Sequence, residues 1–112
     1  MKLPKNIIIS DEKLTSYLLV AKKRNDKSQW LSKAGYIIDN WERLETDIRG
    51  LVLSNDATPQ ENTEYGQLYE INGELKSPKG DLLSVRTIWM TEYATGLTKF
   101  ITMYPLKKEK YK

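Results

Sequence analysis

The chain has 112 residues, 29% of them charged, with 18 Lys+Arg against 15 Asp+Glu and neither cysteine nor histidine. That composition excludes a disulfide framework, a zinc finger, a histidine-ligated haem, a thiol nucleophile and an imidazole acid–base. Chemistry at neutral pH is left to carboxylates, Lys, Arg, Tyr, Ser and Thr, and neither a metal site nor a cofactor is expected.

The length fits one domain with one core. Three Trp and seven Tyr supply the apolar area that disordered chains lack. The apolar runs Ile7-Ile8-Ile9 and Leu18-Leu19-Val20 are too short to span a bilayer. The start, Met1-Lys2-Leu3-Pro4-Lys5, does not lead into a signal peptide's apolar stretch. The expectation is a soluble cytoplasmic protein with no membrane contact. Charge is segregated: residues 1–33 sum to +5, residues 34–74 to −7 and residues 75–112 to +5. Two alternatives stay open, a basic face for a polyanion or solvated faces that alternate in sign.

In chain order, Asn6-Ile7-Ile8-Ile9-Ser10 has the β-branched bias of a short strand. Ser10 or Asp11 caps a helix running to about Val20, with Leu14, Tyr17 and Leu18 along one side. Lys22-Lys23-Arg24-Asn25 reads as a polar connection. Asp26, followed by Gln29, resembles a capping box for a second helix stopped at Gly35, with Trp30, Leu31 and Ala34 facing the core. A third helix begins at Asp39 or Asn40 and buries Trp41, Leu44, Ile48, Leu51 and Val52, with acidic residues outside. Those acidic residues lack the spacing and glycine of a calcium loop. Residues 54–63 are polar and aperiodic and read as a loop.

From Tyr65 the period becomes two, which is a strand. Ser77-Pro78-Lys79-Gly80-Asp81 and Tyr93-Ala94-Thr95-Gly96-Leu97 are hairpin connections with Gly at the left-handed position. A second strand covers about 82–92 and a third 98–105. The expected fold is α+β: a short N-terminal strand and two to three helices on one face of a C-terminal antiparallel three-stranded meander. It forms a single domain over 1–106, followed by a basic tail over 107–112.

Three-residue loops in both hairpins set the register. Leu75 then faces Leu83, Ile71 faces Thr87 and Tyr69 faces Trp89, while Trp89 faces Ile101 and Thr87 faces Met103. A slip by one would set apolar residues against polar ones along the strands. The opposite face receives Leu68, Glu70, Asn72, Ser84, Arg86, Ile88, Met90, Phe100, Thr102 and Tyr104. Asn72, Arg86 and Tyr104 form one cross-strand row, and Glu70, Ile88 and Thr102 the next. A guanidinium holds phosphate bidentately, and aromatic rings such as Tyr104 and Phe100 stack on unpaired bases. The same row also describes an ordinary solvated face with a Glu–Arg pair. Lys22, Lys23 and Arg24 are candidates for phosphate contact, with a solvated interhelical loop as the alternative.

Further residues carry a resemblance over positions 1–106. They are Lys2-Leu3-Pro4, Lys13-Leu14-x-x-Tyr17-Leu18-Leu19, Lys27, Trp30, Gly35-Tyr36 and Asn40-Trp41-x-x-Leu44. Tyr65-Gly66-x-x-Tyr69, Gly73-x-Leu75-x-x-Pro78-x-Gly80, Val85-Arg86-Thr87-Ile88-Trp89 and Phe100-Ile101-Thr102-Met103-Tyr104-Pro105 complete the pattern. Together they resemble the short bacterial proteins grouped as domain-of-unknown-function family 6883. The resemblance implies a small antitoxin-like neighbour and a role in a toxin–antitoxin or conflict system. The element order also resembles the barnase/EndoU/colicin/RelE group of ribonuclease toxins, whose sheet carries RNA on the face away from the helices. Relatives usually place a His immediately before the Lys matching Lys27, where this chain has Asp26.

Two functions follow as expectations. One is a metal-independent, RNA-binding or RNA-cleaving toxin-like domain. In it Arg86 holds phosphate, Tyr104 or Lys27 transfers a proton, Thr102 and Asn72 orient substrate, and Phe100, Lys22, Lys23 and Arg24 contact RNA. The other is a non-catalytic interaction module, or a homodimer, that uses the open sheet face.

Overall fold

The computed structural model describes residues 1–21 and 27–106. The basic run Lys22, Lys23 and Arg24, the cap at Asp26 and the tail over 107–112 lie outside the described residues. In chain order, Ile7–Ile9 passes beside the last strand. The amide of Ile8 donates to Thr98 O at 2.9 Å, and the amide of Phe100 donates to Ile8 O at 2.8 Å. This single parallel bridge stands where the short N-terminal strand was expected. Leu3, Ile7 and Ile9 turn into the core.

Helix α1 opens at Asp11–Lys13 and widens at once into a π turn over Leu14–Leu18, where the Leu19 amide donates to Leu14 O at 3.0 Å. Leu14 and Leu18 are fully buried, while Tyr17 is half-buried and packs against the core edge. Helix α2 covers Ser28–Lys33, buries Leu31 and Ala34, and ends where Gly35 takes a φ of +99° that side-chain-bearing residues rarely adopt. A single 3₁₀ turn, Ile38–Asn40, leads into α3, Trp41–Ser54. Asn40 ties this link down: its Nδ2 donates to Gly35 O and its Oδ1 accepts the Ile37 amide, both at 2.9 Å. Leu44, Ile48, Leu51 and Val52 are the buried stripe, as their spacing predicts. No helix of the described residues is long and apolar enough to cross a membrane.

The sheet is antiparallel with strands in the order β1 (Thr58–Asn62), β2 (Gly66–Lys76), β3 (Leu82–Glu92) and β4 (Thr98–Pro105). The α+β architecture, with helices covering one face of a meander, is as the sequence predicts. The polar stretch read as a loop adds a fourth strand, β1, at the edge. Every residue of β1 is exposed, so it has no apolar alternation to betray it. Its proline is tolerated because an edge strand has one side free of ladder bonds.

The first hairpin has the expected register throughout, from Gly66↔Glu92 to Lys76↔Leu82. The second departs from it near the turn. The Glu92 amide donates to Leu97 O at 2.9 Å, so the loop holds four residues, one more than expected. A bulge at Ile101 absorbs the difference: Trp89 faces Phe100, while Ile88 still faces Thr102 and Arg86 still faces Tyr104. Phe100 therefore belongs to the core, 2% exposed, with its ring edge-on to Trp89 at a 5.3 Å centroid separation. Its expected place on the open face, as a stacking surface for RNA, is corrected by that one-residue shift.

Polar groups brought into this core are paired. The buried Thr87 hydroxyl donates to Ile71 O at 2.9 Å and accepts the Trp89 indole N–H at 2.8 Å. Thr87→Val, nearly isosteric, should cost about 1–3 kcal/mol in denaturant unfolding, because the indole N–H is left without its acceptor. A loss under a few tenths of a kcal/mol would mean that another group takes the proton. Tyr36 is also buried and donates to Asp47 Oδ2 at 2.5 Å. Burial, reinforced by that carboxylate, holds its phenol well above the usual tyrosine range. Arg43 bridges Asp47 to Lys76 O and so fastens α3 to the end of β2.

Candidate functional site

Lys27 immediately precedes α2, and its side chain crosses to the outer edge of β4. The ammonium donates to Thr102 Oγ1 at 3.0 Å and to the Tyr17 hydroxyl at 3.3 Å. Those two hydroxyls lie 3.4 Å from each other. The same nitrogen sits 4.3 Å from the ring centroid of Tyr104 and 5.2 Å from that of Tyr17. Both distances are within cation–π range, so two rings and two hydroxyls hold one cation in place. Each partner has a structural reason to be there. Thr102 is only 8% exposed, so its hydroxyl needs a partner inside the protein. Tyr17 comes from the π turn that buries Leu14 and Leu18 on either side of it.

Arg86 stands opposite Tyr104 on the neighbouring strand, and Asn72 opposite Arg86 on the next. Both Arg86 and Tyr104 are exposed. Arg86 Nε pairs with Glu70 Oε2 at 3.0 Å, in a side chain that is 47% exposed. Lys27 thus lies over the Tyr104 ring, and Arg86 stands across from Tyr104 on β3, paired with the Glu70 carboxylate of β2. A dianionic or phosphodiester group placed over Tyr104 meets charge-assisted donors from β3 and from the residue that precedes α2.

Of the residues expected at a site, the structure brings together Lys27, Thr102, Tyr104, Arg86 and Asn72. Phe100 is not among them, for it is buried against Trp89. Lys22, Lys23 and Arg24 fall outside the described residues. Tyr17 is the member that sequence reasoning took for a core residue only. A phenol at the margin of a core needs a partner for its hydroxyl, and that requirement is the signal that was available. Among the described residues no group of three or more carboxylates could hold a metal ion.

No curated protein matches the chain. Among solved structures it is similar to one chain of a contact-dependent growth inhibition toxin – immunity protein complex from Klebsiella pneumoniae 342. The TM-score is 0.66 at 15% identity, over 92% of this chain and 96% of that one. At that identity the two share a fold. Residues 2–107 match the family described as Domain of unknown function (DUF6883), and the chain belongs to that family.

Proposed function

We propose that the protein is a toxin-like domain that binds single-stranded RNA across the open sheet face and cleaves it beside Tyr104. The observation that carries this reading is the Lys27 ammonium, fixed by Thr102, Tyr17 and Tyr104 next to the exposed Arg86. Preorganised cations aimed at a phosphate stabilise the charge that builds during 2′-hydroxyl attack. Arg86 holds the phosphate, Lys27 meets the oxygen on which charge accumulates, and the Tyr104 ring offers a base a stacking surface. Thr102, being buried, acts through Lys27 as a positioning residue, and Asn72 extends the polar row for the substrate. The fold shared with a chain of a toxin–immunity complex supports a toxin-like role and a small protein partner that restrains it.

The test uses purified protein and total bacterial RNA. Wild type should cleave it, and Arg86→Ala should slow cleavage by about 10²- to 10³-fold, the usual loss for one preorganised donor. Intact RNA, under conditions in which a control nuclease is active, would sink the reading. A second function, a non-catalytic module docking a protein or its own copy, is favoured by Leu68, Ile88 and Met90, half-buried on the same face. It predicts no cleavage, together with a stable dimer or a complex in solution.

A further inference from the structure

On the helical side of the sheet, the N-terminal segment and the second half of α3 leave a cleft between them. Its volume is about 270 Å³, and Pro4, Lys5, Ile7, Arg49, Val52 and Leu53 line it. Ile7 and Val52 belong to the core, whereas Leu53 is 59% exposed, so the apolar lining runs from the core out to solvent. Leu53 lies off the buried stripe of α3 formed by Leu44, Ile48, Leu51 and Val52. A leucine exposed alone is ordinary, but this one extends an apolar recess. The recess is just below the roughly 300–1,000 Å³ of common small-molecule sites, and it has room for one large apolar side chain. An anchor residue seated in such a pocket is where protein interfaces concentrate their binding energy.

Charge narrows the occupant. Two of the lining residues are cations and none is acidic. Arg49 is engaged within the protein: Nη2 pairs with Glu45 Oε2 at 3.0 Å, and Nη1 donates to Ile7 O at 3.0 Å. It ties α3 to the N-terminal segment and so fixes the two walls. Lys5 is exposed and pairs with no carboxylate among the described residues. Its neighbour Lys2 reaches Asp56 at 3.7 Å and donates to Leu53 O at 3.4 Å. Residues 1–33, which supply this wall, sum to +5 in a chain of net charge +3. Nucleic acid is held by rows of free cations. One free lysine beside an apolar recess suits a carboxylate adjoining an apolar side chain instead.

We infer that this cleft is the docking site for an acidic partner protein, which seats one aromatic or leucine side chain between Ile7, Val52 and Leu53 and sets a flanking carboxylate on Lys5. The inference rests on the proposed protein partner and is independent of RNA cleavage. The helices cover the sheet face opposite to Arg86 and Tyr104, so a partner held here leaves those two residues uncovered at its point of anchorage.

The experiment selects a phage-displayed random peptide library on the immobilised protein, then titrates the enriched peptides by fluorescence polarisation. Enriched peptides should carry one aromatic residue or leucine flanked by Asp or Glu, and should bind more weakly as salt rises. Leu53→Asp should weaken binding by at least about 10-fold, and Lys5→Glu by about 5- to 10-fold. Both positions are exposed, so thermal unfolding and RNA cleavage should stay as in wild type. Lys79→Glu, an equal change of charge in the first hairpin, should bind as wild type does. Enrichment of basic or uncharged peptides, equal binding by Leu53→Asp, or no enrichment at all would overturn the inference. So would sedimentation that shows a dimer of this chain dissociated by Leu53→Asp, since a second copy would then fill the cleft. Peptide binding as expected without RNA cleavage would sink the nuclease reading alone, and cleavage without binding at the cleft would sink this inference alone.

Discussion

Lys27→Gln is expected to lower RNA cleavage by about 10²- to 10³-fold while the protein stays folded, with the loss in kcat rather than KM. Glutamine retains an N–H donor for Thr102 and removes the charge that two rings and two hydroxyls hold against β4. The effect reports on transition-state charge because Arg86, on the adjacent strand, is left to bind the phosphate. Steady-state kinetics on a defined RNA, with thermal unfolding as the fold control, measure both quantities. Unchanged kcat would remove Lys27 from the chemistry and leave its cage a structural feature of the β4 edge.

Phe100→Ala should act on stability and leave RNA recognition alone, costing about 3–5 kcal/mol in denaturant unfolding. The ring is 2% exposed and meets Trp89 edge-on, so its removal opens a cavity at the heart of the core. A flat sheet without the bulge would put Phe100 outside and Ile101 inside. In that case the substitution would weaken RNA binding and hardly change stability. Comparing the two readouts, at a temperature where the variant remains folded, therefore tests the register as well as the residue.

Much of this architecture was legible because its signals are local. The i, i+3, i+4 spacing of Leu44, Ile48, Leu51 and Val52 marked α3, and Gly35 marked the end of α2. Ser77 through Asp81 set the first hairpin register without error, since Gly80 can take the left-handed conformation that its three-residue loop needs. The second hairpin also carries a left-handed glycine, Gly96, but its loop is one residue longer. Turn composition alone does not distinguish the two lengths. What decides is burial: the bulge lets Phe100 and Met103 both face inward, whereas strict alternation would bury only one of them. Strand β1 was hidden for the opposite reason, since it buries nothing and exists by pairing its backbone with β2.

Composition alone excluded a thiol or imidazole at this site, and the first hairpin's turn residues placed Asn72 opposite Arg86, whereas Tyr104 keeps its place opposite Arg86 because the bulge at Ile101 offsets the longer second loop. Only the tertiary structure brought Lys27 to that row. Its hydroxyl partners lie 10 and 75 residues away in sequence, and no periodic signal reaches across such separations. A π turn presents Tyr17, a nearly buried Thr102 requires a donor, and a cation satisfies both against two aromatic faces. Local patterns specify which face a residue takes on its own element. Packing decides which elements meet, and here that meeting sets the Lys27 ammonium over the Tyr104 ring, across from Arg86 on the neighbouring strand.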